Sequence, residues 1–332
     1  MAYETGTANS ATDLLDKFRI FAAAQGWTIN RNVAAGAGRE VSIAKGAAYF
    51  NFKSFENSPI NLNGSTGTNA YGIVLSGSDG YASGSAWDRQ PGYPLRGSTT
   101  GGDQGHVFVP LVLNFGPFPA YHFFAPDAKT LYCELEAATG IFLRFGCGSL
   151  DLFNPSAPGG GRFFYATGGQ NVTNSTSSNS WLGSYVDHSG FAQELVPFRA
   201  ADYVPSPNGT QGAMVRAAFG SFDNWACSGR TVTSTYQGMV CQGGGCHDKV
   251  LRDFSPNPLN GVGILLPNVV SLNVGDEFLS PIGVVPGIRY MDMTNYTPGD
   301  EFSLGPDTWK VFPWYQKGGL SVQRGIAYKV VG

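Results

Sequence analysis

The sequence contains few charged residues. Its 332 residues include 21 Lys or Arg and 24 Asp or Glu, so that 14% are charged, against about 25% in an average soluble domain. A free monomer usually stays soluble through a charged surface, so this deficit favours a protein that buries much of its surface against partners. The formal net charge of −3 leaves no basic surplus to neutralise phosphates, which argues against nucleic-acid binding.

Long apolar runs are also missing. No stretch of about 18 apolar residues occurs, so we expect no membrane span. The first residues, Met1 to Gly6, lack a charged segment followed by an apolar one. We therefore expect no secretory signal and expect folding in a cytoplasm.

Recognisable catalytic motifs are absent as well. None of the four histidines, His106, His122, His188 and His247, lies in an HExxH pattern or near a nucleophile motif. Asp187, His188 and Ser189 are adjacent, but neighbouring side chains of an extended chain point to opposite faces, which favours an ordinary turn. The glycine runs lack the Lys-Ser/Thr of a phosphate loop. We predict no catalytic residue, no cofactor and no metal.

Two acidic residues keep an enzymatic alternative open. Glu134 and Glu136 are two residues apart, so their side chains lie on the same face of the predicted strand. This arrangement resembles the paired acids of glycosidases. The simpler interpretation is that both carboxylates lie on a solvated face.

The five cysteines allow several interpretations. Cys133 and Cys147 fall on the same side of two neighbouring strands and are candidates for a disulfide. Cys241, Cys246 and His247, with Cys227, resemble a fragment of a zinc site, although their spacing is irregular. A cytoplasmic origin argues against early oxidation. Free buried thiols are the default, and the disulfide candidates are Cys133, Cys147, Cys227, Cys241 and Cys246.

Glycine and proline are abundant and shape the predicted fold. The 46 Gly and 20 Pro residues separate short aromatic and aliphatic runs, a pattern typical of many short strands joined by turns. We predict a mainly β fold, an antiparallel β-sandwich or jelly-roll-like structure with long Gly/Ser-rich loops. Residues 1–332 are expected to form a single domain, with a subdivision conceivable near 154–161.

One amphipathic helix is predicted at about residues 10–26. Ser10 and Asp13 resemble a capping box, and Gly26 is a typical C-terminal stop. Apolar residues at helical spacing form one stripe, which either covers a sheet or docks on a neighbouring subunit. The residues of this stripe that are candidates for an interface are Leu14, Phe18 and Phe21.

The clearest hairpin lies in the middle of the chain. Residues 129–136 and 141–147 alternate between apolar and polar, with a connection at 137–140, which predicts one buried face and one wetter face. The long segments 77–105 and 170–180 are predicted contact loops, and aromatic residues on such loops offer contact area at low entropic cost. The interface candidates in these segments or directly next to them are Trp87, Tyr93 and Trp181.

Parts of the sequence resemble virion structural proteins of tailed phages and prophages. The resemblance touches the start, centre and end of the chain loosely, and it involves folding residues without any catalytic motif. Cys133 and Cys147 depart from the pattern. The segments that carry it are Met1 to Ala8, Leu14 to Lys17, Gly26 to Thr28, Tyr121 to Phe124, the hairpin from Leu131, Arg144 to Leu150, and Trp309 to Pro313.

This resemblance implies a tail, baseplate or neck subunit, and we predict that it is not an enzyme and that it packs in a symmetric ring. Its expected partners are copies of itself and neighbouring virion proteins, and its location is the virion, assembled in the host cytoplasm. Two alternatives stay open. One is a head-decoration protein, and the other is a receptor module that binds host-surface glycan through aromatic residues such as Trp87, Tyr93, Trp181 and Trp225.

Overall fold

A computed structural model of the chain describes residues 1–62, 65–94, 109–112, 116–166, 168–170, 213–216, 225–228, 238–241, 265–273, 279–313 and 324–331. Within these ranges the protein is mainly β, with one α-helix, α1 (Ala11–Ala24), and a short 3₁₀ turn at Pro158–Gly161. The predicted fold class, mainly β and antiparallel with a helix near the N-terminus, is therefore confirmed for the described residues.

The strands fall into two sheets. The first half of the chain contributes β1 (Ala2–Ala8), β2 (Thr28–Ala35), β3 (Gly38–Lys45), β4 (Ala48–Leu62), β5 (Ser65–Ser78), β6 (Val109–Val112), β7 (Phe118–Asp127), β8 (Thr130–Ala138), β9 (Ile141–Ser149) and β10 (Asp151–Leu152). The second half contributes β11 (Arg162–Ala166), β12 (Gly168–Gln170), β13 (Ala213–Arg216), β14 (Trp225–Ser228), β15 (Gly238–Cys241), β16 (Leu266–Asn273), β17 (Leu279–Asp292), β18 (Glu301–Leu304), β19 (Asp307–Pro313) and β20 (Arg324–Val331).

The smaller sheet has the strand order β12-β6-β5-β4-β3-β2. The larger one has the order β1-β7-β8-β9-β11-β13-β14-β15-β16-β17-β20-β19-β18, with β10 paired to β17. Among the described pairs, β14 and β15 are the one parallel neighbour pair. Two sheets with a helix between them give a sandwich-like architecture.

Helix α1 begins and ends where its sequence predicts. The Ser10 hydroxyl accepts a hydrogen bond from the Asp13 amide, and the Asp13 carboxylate accepts one from the Asn9 amide. At the other end, the Gly26 amide donates to the Ala23 carbonyl and the Trp27 amide to the Ala22 carbonyl. Gly26 has φ +75°, the left-handed conformation that glycine adopts at low cost in this type of helix end.

The apolar stripe of α1 belongs to the core of its own chain. Leu14 and Phe18 are completely buried and Phe21 is 2% exposed. The Phe18 ring lies between the two sheets, 5.5 Å from the Phe52 ring and 5.0 Å from the Phe145 ring. The interpretation that the helix covers a sheet is thus confirmed. This packing leaves Leu14, Phe18 and Phe21 almost no exposed surface, so it does not favour the interface role predicted for them.

The central hairpin has the predicted position, but both of its faces are buried. Leu131, Cys133 and Leu135 on β8 pack toward α1, as the alternation predicted. On the opposite face, Tyr132 packs into a second apolar cluster with strands β17 and β20. The larger sheet curls over so that its C-terminal strands cover the outer side of the hairpin. The predicted wetter face is therefore wrong, and the protein has three layers at this point.

The register of the hairpin also determines whether Cys133 and Cys147 can form a disulfide. Cys147 lies opposite Leu131 and Cys133 opposite Phe145, so the two thiols are diagonal neighbours. Diagonal neighbours lie about 7–8 Å apart, beyond the usual Cα separation in a disulfide. Both are free and buried, and burial raises the pKa of each thiol well above its usual range. The default interpretation of free buried thiols is therefore confirmed for Cys133 and Cys147, and the alternative of a disulfide between them is wrong.

Candidate functional site

The smaller sheet ends at β2, whose second half is an open edge. Among the described strands, β2 has a hydrogen-bonded neighbour, β3, on one side only. Asn32, Val33 and Ala34 are exposed, and the side chain of Val33 is 47% exposed. Unpaired strand edges are templates for pairing with another chain, and proteins usually protect them with Lys, Pro or a covering segment. The stretch Asn32–Ala35 contains no charged residue and no proline.

A tight turn and a buried partner strand hold this edge in place. Strands β2 and β3 are joined at Gly36 and Ala37, and Gly36 has φ +61°, which suits the two-residue turns of hairpins. Val41 and Ile43 of β3 are buried in the core beneath α1. The edge is thus presented on a rigid base.

The first half of β2 is irregular. Ile29 pairs with Ile43 and Arg31 with Ser42, so Asn30 is an extra residue that forms a β-bulge. Bulges redirect side chains and often occur at sheet edges and binding sites. An open pocket of about 460 Å³ lies beside this bulge, lined by residues 30–33, Glu40, Tyr81 and residues 83–86.

The segment that closes this pocket, 79–94, is held by side-chain hydrogen bonds. Gln90 is completely buried and accepts from the Ala82 amide while it donates to the Ser85 and Ala86 carbonyls. At its base, Asp79 forms ion pairs of 2.6 Å with both Arg162 and Arg216. Burial acts to raise the pKa of Asp79, but these two guanidinium groups outweigh it and lower the pKa.

The aromatic residues predicted as contacts differ in how deeply they are buried. Trp87 is 5% exposed and belongs to the core, so its surface does not favour the predicted interface role. Trp225 is likewise buried, and its indole N–H donates to the Gly92 carbonyl. Tyr93 is partly exposed, and its hydroxyl accepts from Arg89, so its interface role stays a prediction. Trp181 and residues 171–180 of the predicted contact loop 170–180 lie outside the described residues.

A second group of polar residues lies inside the three-layered region. Arg144 and Glu134 are completely buried, and Arg144 Nη2 donates to Glu134 Oε1 at 2.8 Å and to the Pro313 carbonyl at 2.6 Å. The Tyr328 hydroxyl donates to Glu134 Oε2 at 2.9 Å. Burial raises the pKa of Glu134, and Arg144 and Tyr328 act against that rise. This ion pair ties β8 and β9 to the C-terminal strands.

This arrangement corrects the interpretation of the paired acids. Glu134 does not share a solvated face with Glu136, because Glu134 is enclosed and neutralised by Arg144. Glu136 is partly exposed, and one of its carboxylate oxygens accepts from the Gly140 amide. The two carboxylates therefore do not face each other across a cleft, as a glycosidase requires.

The remaining candidate residues are those of the possible zinc site and of the adjacent Asp-His-Ser group. In the ranges that the structure describes, no group of three or more His, Cys, Asp or Glu side chains is placed to hold a metal ion. Cys227 and Cys241 lie on neighbouring strands, with Cys227 opposite Gly238. Cys246, His247 and the adjacent residues Asp187, His188 and Ser189 lie outside the described residues.

His122 is a half-buried titratable group near the edge strand β1. Its Nδ1 is 2.7 Å from the Tyr3 hydroxyl, and its ring packs 4.8 Å from that of Phe312. Burial, helped by the charge of Lys310, lowers the pKa of His122 from 6.5 to about 4. The folded protein therefore holds a neutral imidazole that shares a hydrogen bond with the Tyr3 hydroxyl.

We expect this histidine to make stability depend on pH. The unfolded chain binds the proton first as the pH falls, because its imidazole has the higher pKa. The stability that the neutral His122 ring contributes is fully present above about pH 6.5 and is lost as the pH falls toward about 4. Since the ring is partly solvated, we expect a loss of about 1–2 kcal/mol. Urea unfolding at about pH 7 and pH 5 measures it, and His122→Gln should lose less stability between these pH values than the wild type does. Equal losses would contradict the assignment to His122.

The sequence reasoning missed the edge strand and the pocket. Strand β2 was not predicted separately, and Asn30, Arg31 and Tyr81 were not among the candidate residues. A weak signal was present: Val33, Gly36 and Val41 outline a short hairpin, but the polar residues of β2 hide its alternation.

Comparison with protein-family models and with curated proteins finds no match to this sequence. In the described part of the chain, no helix is both long and apolar enough to span a bilayer.

Proposed function

We propose that the chain is a structural subunit of a tailed-phage virion, packing in a symmetric ring in the tail, baseplate or neck. The observation that carries this proposal is the uncharged open edge of β2, with Val33 47% exposed. Such an edge is suited to pairing with another chain through backbone hydrogen bonds. The low content of charged residues and the sequence resemblance support the same role. A head-decoration protein is the variant within this class.

A ring requires that one surface meet a different surface on the next copy. The protein offers a second open edge at β18, the last strand of the larger sheet, where Leu304 is 57% exposed. Among the described strands, β18 is hydrogen-bonded to β19 alone. We propose that β2 of one copy pairs with β18 of the next. The contact is then heterologous, and a suitable rotation closes it into a ring.

The proposed role involves no catalytic step. The buried Glu134–Arg144 pair acts in it as a structural tie between layers, and the exposed edges supply the contacts. Its partners are copies of itself and neighbouring virion proteins.

We expect Val33→Lys to prevent assembly, because a lysine on a strand edge obstructs pairing with another strand. Sedimentation velocity of the purified full chain should show closed oligomers for the wild type and loss of them for the variant. Ile20→Lys is the matched control, since Ile20 is 52% exposed on the solvent side of α1, and it should assemble normally.

A mixing experiment tests the head-to-tail arrangement. Val33→Lys disrupts the edge of β2 and leaves β18 intact, whereas Leu304→Lys disrupts the edge of β18 and leaves β2 intact. Each variant should therefore be monomeric alone. Their mixture should form one-to-one dimers that grow no further. A wild type that stays monomeric at high concentration would overturn the proposed assembly, and a mixture that stays monomeric would overturn the β2–β18 contact.

A further inference from the structure

The pocket beside the β2 bulge has features of a binding site that the assembly role does not require. Its volume of about 460 Å³ falls within the range of small-ligand pockets. It combines one aromatic ring, an ion pair, side-chain amides and serine hydroxyls. Its lining residues are Asn30, Arg31, Asn32, Val33, Glu40, Tyr81, Ser83, Gly84, Ser85 and Ala86.

Asn30 carries a buried side-chain donor that has no hydrogen-bond partner among the described residues. As the extra residue of the bulge it is displaced from the regular pairing of β2 with β3. Its Nδ2 is buried, and in the part of the chain that the structure describes it has no hydrogen-bond partner. Leaving a buried donor unpaired is unfavourable, so such a group in a native protein often has a functional role.

Arg31 follows directly after the bulge and is held in place by several hydrogen bonds. Its Nη2 donates to the Ser83 carbonyl at 3.1 Å and to the Ser85 carbonyl at 2.6 Å, and its Nη1 to Glu40 at 3.3 Å. The guanidinium carbon lies 5.7 Å from the centre of the Tyr81 ring. Arg31 therefore fixes the serine segment and the tyrosine relative to the strand.

The charge of the pocket is largely compensated. Glu40 accepts from Arg31 and also pairs with Lys53 at 3.0 Å, so neither an anionic nor a cationic ligand finds an unpaired opposite charge. What the pocket offers instead is donors and acceptors in close alternation next to an aromatic face. This is the chemistry that complements a neutral ligand rich in hydroxyl groups that also has an apolar C–H face.

We propose that this pocket binds a neutral saccharide unit, with the Asn30 side chain turning outward to donate to a sugar oxygen and Tyr81 packing against the ring of the sugar. Glu40 and Asn32 accept from sugar hydroxyls, and Arg31 positions Tyr81 and the serine segment. The pocket shares Asn32 and Val33 with the strand edge proposed for assembly. The two proposals are told apart by their readouts, since sugar binding tests one and the oligomeric state tests the other.

The test uses the full chain and a panel of neutral methyl glycosides and disaccharides, including those of glucose, galactose, mannose and N-acetylglucosamine. Saturation-transfer difference NMR and titration of the responding sugar measure binding. We expect at least one sugar to bind, and Tyr81→Ala to weaken it about tenfold or more. Tyr93→Ala, which changes a tyrosine outside the pocket, should leave binding unchanged.

Asn30→Leu separates a binding role from a structural one. It removes an unpaired buried amide, so the thermal unfolding midpoint should stay the same or rise, while sugar binding falls about tenfold. The proposal is overturned if no sugar of the panel binds, if Tyr81→Ala and Tyr93→Ala bind equally well, or if inorganic phosphate displaces the bound sugar from the pocket. It is also overturned if Asn30→Leu lowers the midpoint and leaves binding intact.

Discussion

Glu134→Ala is expected to lower the free energy of unfolding by about 3–5 kcal/mol, because it leaves the guanidinium of Arg144 buried without its counter-ion. Both side chains are completely buried, so water does not replace the lost carboxylate. The loss is large against the total stability of about 5–15 kcal/mol that a typical domain has. Urea unfolding followed by tryptophan fluorescence measures the change.

Two further variants separate the charge effect from the loss of packing. Glu134→Leu combined with Arg144→Met removes both charges and should recover much of the stability, since apolar replacements of a buried ion pair are often neutral or better. Tyr328→Phe removes one hydrogen bond to Glu134 and should cost about 1.5–3 kcal/mol. An effect below about 1 kcal/mol for Glu134→Ala would show that this pair is not enclosed as described.

Phe18→Ala is expected to cost about 3–5 kcal/mol, the usual range for truncating a fully buried phenylalanine. Its ring contacts the rings of Phe52, Phe123 and Phe145 at centroid distances of 5.5, 5.4 and 5.0 Å. The cavity would therefore lie where the helix joins both sheets. The measurement is the shift of the urea unfolding curve.

Ile20→Ala is the control on the same helix, since Ile20 is 52% exposed, and it should change stability by less than about 0.5 kcal/mol. If the apolar stripe of the helix docked on a neighbouring subunit instead, Phe18→Ala would weaken assembly and leave the unfolding curve of the monomer unchanged.

Local sequence patterns predicted the elements whose signals are contained in a short segment. Ser10 and Gly26 mark the ends of α1 because caps depend on neighbouring residues alone. The hairpin of β8 and β9 was predicted for the same reason, since strand alternation and a short connection are local features.

The environment of those elements depends on residues far away in the chain. The alternation around Glu134 indicated a solvated face, yet Tyr328, 194 residues further on, lies against that carboxylate. Period-two patterns cannot distinguish a solvated polar face from one that is buried and internally paired. The same limit hid the pocket, because Tyr81 and Arg31 meet only through the folding of segment 79–94 onto β2.

The proposed virion role is tested most directly by electron cryomicroscopy of purified particles from cells that encode the chain. The proposal predicts that the chain is found in several copies around a symmetry axis of the tail, baseplate or neck, with strand density directly beside residues 32–35 of each copy. Purified particles that contain no copy of the chain would contradict it.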